Sequence, residues 1–154
     1  MCFWKEPDPE KLVKEYFSFL VEQYGFTYTP YCFTSKKVKI IMQIGRVTPT
    51  ILVAYVGEPD ITKLNFYCIR EYFEDKGPYI TYSDHTLAYN MKFMARILKG
   101  YMSKIIDHID EWWIPIHKSL YELHEKEYKE RGQMDDFIET YKRDYDYLKS
   151  KGAI

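Results

Sequence analysis

Long apolar runs are missing from this sequence. The longest clean one, Ile51–Val56, has six residues, against the roughly 20 that a membrane-spanning helix needs. No spanning segment is expected. Cysteine is scarce too. Cys2, Cys32 and Cys68 are odd in number and fit neither a CxxC pair nor a zinc ribbon, which points to reduced thiols in a reducing cytoplasm. Residues 1–9 hold no basic stretch followed by an apolar one, so no signal peptide is expected and the expected location is cytoplasmic. Catalytic signatures are also missing. The chain has no GxGxxG, P-loop, GxSxG or HExxH and no Glu-x-x-His pair, so phosphate loops, nucleophile elbows, zinc-protease helices and di-iron bundles are not indicated.

What the sequence does have is aromatic residues: 16 Tyr, 9 Phe and 3 Trp in 154 residues. With 46% hydrophobic and 29% charged residues the composition is that of an ordinary globular protein, long enough to bury a core without a disulfide or a metal.

Spacing predicts the elements. Asp8, Pro9 and Glu10 make a helix start, with a side-chain cap, a proline at the first helical position and an acid near the positive end of the dipole. Val13, Phe17, Leu20 and Tyr24 then recur every three or four residues up to Gly25, a natural helix stop. Tyr28–Thr34, with Pro30, reads as an edge strand. Val38, Ile40, Met42 and Ile44 alternate with Lys39 and Gln43, and Ile51–Val56 reads as a strand buried on both sides. Asn65–Glu74 is ambiguous, since Phe66, Ile69 and Phe73 stand at helical spacing while Leu64, Phe66 and Cys68 alternate; a short helix ending before Gly77 and Pro78 is favoured. Ser83 and Asp84 cap a long helix whose stripe runs from Leu87 to Trp112 and Trp113, and Pro115 is expected to break it. Two more helices, about 116–131 and 134–149, should form a helical hairpin across Gly132. The expected architecture is α+β: an N-terminal helix, a small antiparallel meander, a long helix and a C-terminal αα-hairpin. Residues 1–114 form the body and 115–154 the hairpin.

The net charge of −1 conceals polarity. Residues 1–35 carry −2, residues 36–105 carry +5, residues 106–118 carry −2 and residues 119–154 carry −2. Either these charges are solvated faces and the tyrosines pack the hairpin against the body, or an acidic hairpin steers a basic partner and its tyrosines supply contact area and a hydrogen bond at low entropic cost. The candidate partner-binding residues are therefore Asp107, Asp110, Glu111, Tyr121, Tyr128, Tyr141 and Tyr145.

Competing chemistries have less behind them. His108 and Glu111 stand one helical turn apart among Asp107 and Asp110, an incomplete metal face that a hydrolase or nuclease would have to complete. His117 and His124 share a helix face, and Cys68 sits in an apolar run where thiols are inert. Lys36, Lys37, Lys39 and Arg46 around Tyr31 and Phe33 resemble a single-strand stacking surface, but four cations are a thin footprint. No catalytic residue, metal ligand or cofactor is assigned, and neither a membrane nor nucleic acid is the expected partner.

Residues Tyr16–Phe26 (YFSFLVEQYGF) and the Leu98-Lys-Gly-Tyr101 stretch resemble small bacterial proteins of the immunity-protein type. Those proteins read roughly as Phe-Leu-x-x-Glu-Tyr-Gly-Phe, a meander, and a long helix holding Leu-Lys-x-Tyr. The resemblance covers about residues 10–114, and the hairpin departs from the pattern. It implies a non-enzymatic inhibitor that blocks a toxin, here a basic toxin domain, by tight complementary contact. The function expected is thus a protein-binding module acting through its C-terminal helical surface. A structural or homodimeric module is the alternative.

Overall fold

The computed structural model describes residues 8–75 and 85–154; Cys2, the Gly77 and Pro78 stop and the Ser83–Asp84 cap lie outside the described residues. The fold is α+β, with a five-stranded antiparallel sheet in strand order and helices before and after it. The chain divides into two compact units, one ending at Ile106 and the other starting at Asp107, upstream of the boundary drawn at residue 114. No helix among the described residues is long and apolar enough to cross a membrane.

The first unit opens with α1 (Pro9–Tyr16), and Asp8 caps it by accepting from the Glu10 N–H at 3.1 Å. The single helix expected up to Gly25 is broken at Phe17, and α2 covers Ser18–Glu22. The Ser18 hydroxyl donates to the Glu15 carbonyl at 3.1 Å, a local bond that competes with the helical ladder. The Leu20 N–H bonds the Phe17 carbonyl, three residues back. Phe17 and Leu20 are fully buried, so packing holds the break. Gly25 ends α2 at φ +70°, as its lack of a Cβ allows.

Residues 28–34 do not form one edge strand. They are a hairpin of β1 (Thr27–Thr29) and β2 (Cys32–Thr34), turning at Pro30 and at Tyr31, whose φ is +62°. Pro30 cannot donate to a ladder, so a strand through it was the costlier solution. The next strands, β3 (Val38–Ile44) and β4 (Pro49–Tyr55), pair along their full lengths. On β3 the alternation is as read: Val38, Ile40 and Met42 are buried while Lys39 and Gln43 are exposed. β5 (Leu64–Asn65) closes the sheet. One cross-strand row, Phe33, Ile40, Val53 and Leu64, is buried throughout and lies in the core.

α3 (Phe66–Tyr72) is capped by the Asn65 side chain, which accepts from the Tyr67 N–H at 2.9 Å. Burial of Phe66 and Ile69 settles the ambiguity of this stretch in favour of helix. Arg70, 3% exposed, donates through Nε to Asp75 at 2.9 Å. Tyr101 shares that carboxylate, and burial, then the bond to Asp75, push its phenol up to about 12.

The largest correction is α4, one helix from Leu87 to Glu130 with Pro115 inside it. An interior proline removes the bond to residue 111 and costs about 3 kcal/mol. Trp113 and Ile116, on either side, are 2% and 1% exposed. Burying such side chains returns about 1.5–3 kcal/mol each, enough to carry the helix through. The first unit holds α4 up to Ile106 and the second holds the rest. In the second unit Gly132, at φ +68°, turns the chain. The return arm is two helices rather than one, α5 (Met134–Thr140) and α6 (Lys142–Ser150), parted at Tyr141.

Two outcomes are expected. Pro115→Ala should raise the urea midpoint, by at most about 3 kcal/mol of stability, because Pro115 is exposed and its replacement restores a helical bond. A lower midpoint would show that the proline ring itself is required. The Tyr101 phenol lies above its ordinary value of 10, so the stability it contributes is complete below pH 10 and is lost as pH rises towards 12. Stability should decline over that alkaline window, and Tyr101→Phe should make the decline smaller.

Candidate functional site

All seven candidate residues fall in the second unit. The face of α4 that meets α5 and α6 carries Trp113, His117, Tyr121, His124 and Tyr128, spaced by three or four residues so that they share one side of the helix. Rings from the returning arm meet them in antiparallel order. Trp113 donates its Nε1–H to the Tyr147 hydroxyl at 3.0 Å. His117 stands edge-on to both of those rings, at 4.7 Å from Trp113 and 5.7 Å from Tyr147. Phe137, 1% exposed, contacts Tyr121, Tyr128 and Tyr141 at 5.1–5.8 Å. His124 stacks on Tyr141 at 4.9 Å and 17°. His117 and His124 thus belong to a packed aromatic seam.

Five of the 16 tyrosines, Tyr121, Tyr128, Tyr141, Tyr145 and Tyr147, lie in or beside this seam. Tyr121, Tyr128 and Tyr141 are half-buried and only Tyr145, 40% exposed, is a surface residue. Three of the four also open outward. Tyr121, Tyr141 and Tyr145, with Ile138, Lys142 and Asp146, line a groove of about 410 Å³. Ile138 is 63% exposed at its edge. Burial is the main reason the Tyr121 phenol is raised above its usual range, with Glu125, Tyr145 and Asp144 adding to it. Burial raises Tyr141 as well, followed by Tyr128, Asp144 and Glu127. Both phenols are therefore neutral at physiological pH and keep their hydroxyl protons.

Asp107, Asp110 and Glu111 are exposed on α4, and Glu111 bonds the His108 ring at 3.2 Å. Ten residues separate Glu111 from Tyr121, about 15 Å of helix rise. The candidate residues are therefore two features on one unit, an acidic patch at its start and an aromatic groove farther on. Ile138, Lys142 and Asp146 escaped sequence reasoning, although the recurrence 138, 141/142, 145/146 marks one helical face and was the signal available.

The competing sites gain little from the geometry. No group of three or more His, Cys, Asp or Glu side chains among the described residues could hold a metal. Phe33 is 1% exposed, with its ring in the core, so it offers no stacking surface to a base. Burial raises the Cys68 thiol, with Glu71 adding to it, opposite to what a nucleophile needs.

Comparison with known proteins finds no matching family model, no matching curated protein and no matching solved structure.

The geometry separates packing tyrosines and phenylalanines from presenting ones. Phe137→Ala should cost the fold about 3–5 kcal/mol, whereas Tyr145→Ala at the surface should cost less than about 1 kcal/mol. Urea unfolding of the two variants checks the assignment, and equal losses would contradict it.

Proposed function

We propose that the protein is a non-enzymatic protein-binding module whose second unit carries the binding face. The observation behind this reading is the exposure of Ile138 and Tyr145 beside a preformed tyrosine-lined groove. Large apolar side chains held at the rim of a concavity are what a partner buries. The unit carrying them has twelve acidic and eight basic side chains, a net charge of −4, and Asp107, Asp110 and Glu111 form its outlying acidic patch. A basic protein is the partner such a field attracts. The immunity-protein resemblance of residues 10–114 gives the reading a specific form, an inhibitor that masks a basic toxin domain, acting in the cytoplasm.

One observation favours self-association as a second reading. Lys142 and Asp146 stand four residues apart on the groove, so a two-fold related copy could pair each with the other's opposite.

Affinity capture with the full chain tests the first reading. Ile138→Asp and Tyr145→Ala should each weaken retention of the partner about tenfold or more, while the midpoint of thermal unfolding moves by no more than about a few degrees. Leu123→Ala, also at an exposed position but outside the groove lining, should retain it. Asp110→Asn with Glu111→Gln should slow association mainly at low salt. Undiminished capture by both groove variants would remove the groove from the function, and a concentration-dependent dimer with no captured partner would support the second reading.

A further inference from the structure

We propose that the groove is a receptor for an arginine side chain of the partner, with the guanidinium packed on the tyrosine wall and countered by Asp146. This rests on the binding function above and names the chemistry that the groove selects.

Three observations converge on it. The first is the wall. Tyr121, Tyr141 and Tyr145 line one concavity, and the Tyr121 and Tyr145 rings meet each other at 6.4 Å and 41°, so they form one continuous wall. Aromatic faces attract cations through the ring quadrupole, and the planar guanidinium also stacks on them. The second is charge. Asp146 lines the groove itself, and Glu125 and Asp144 are close enough to Tyr121 to act on its phenol. A carboxylate beside an aromatic wall suits a guanidinium, whose edge donates to carboxylate oxygens while its face packs on a ring. The third is a precedent within the unit. Lys149 Nζ already lies 5.8 Å from the centre of the Tyr145 ring, and Lys151 Nζ lies 5.7 Å from that of Tyr147.

The size and rigidity of the groove agree with this. About 410 Å³ falls within the usual range for a small-ligand cleft, roughly 300–1,000 Å³, and accepts one long side chain rather than a whole element. Two of the three rings are already fixed by the seam: Tyr141 against His124 and Phe137, Tyr121 against Phe137. Little ordering is left for the partner to impose. Lys142 opposes the arrangement, since it lines the same groove one turn before Asp146. Its repulsion makes a prediction with a definite sign.

The experiment is an NMR titration of the full chain with acetyl-Ala-Arg-Ala-amide, repeated with the citrulline peptide, in which a neutral urea replaces the guanidinium. Signals of Tyr121, Ile138, Tyr141 and Tyr145 should shift and saturate with the arginine peptide. The citrulline peptide should bind about tenfold more weakly. Asp146→Asn should weaken the arginine peptide severalfold and leave the citrulline peptide unchanged, and Lys142→Ala should tighten the arginine peptide. Both substitutions are at exposed positions and should leave the fold intact. Equal affinity for the two peptides would overturn the proposal and leave an apolar groove that still binds protein. Binding of neither peptide would overturn it too, while capture of a partner that depends on Ile138 and Tyr145 would keep the binding reading alive. Groove signals that move with protein concentration alone would place a second copy there instead.

Discussion

The whole surface of the second unit depends on the register between α4 and the two helices that return along it. The hydrogen bond from Trp113 to Tyr147, made where both side chains are buried, fixes that register at one end. An indole N–H taken out of water needs an acceptor, and leaving it without one costs about 1–3 kcal/mol, so a shifted pairing is penalised as well as less well packed. Phe137 fixes the other end by meeting three tyrosines at once. Between these anchors the Tyr121, Tyr141 and Tyr145 rings hold the positions that shape the groove.

The same arrangement explains how a chain of net charge −1 can be strongly polar. The acids that outnumber the bases in the second unit lie mostly on exposed positions, where each interacts weakly at physiological salt. In the proposed binding function their summed field governs the approach of a partner, whereas the exposed apolar rim of the groove governs its retention. Asp107, Asp110 and Glu111 belong to the first effect, and Ile138 and Tyr145 to the second.

Sequence patterns were most legible where one local interaction dominates. The Asp8 cap, the alternation along β3 and the Gly25 and Gly132 turns each follow from a side chain and its nearest neighbours in sequence. They were least legible where local preference and burial disagree. Pro115 favours an end to the helix, yet Trp113 and Ile116 are buried on both sides of it and the helix continues. Phe17 and Tyr141 interrupt helices whose periodicity is unbroken in the sequence.

The candidate site divides along the same line. Composition and charge alone determined that the C-terminal stretch is acidic and rich in tyrosine, because both are sums over residues and need no coordinates. Which tyrosines pack and which present was decided only by the tertiary structure. A ring on α4 serves the core or the surface according to what the returning helices place opposite it. Ile138, Lys142 and Asp146 enter the groove for that reason, and Asp107, Asp110 and Glu111 lie about 15 Å or more of helix rise from Tyr121, since the helix that carries them does not stop at Pro115.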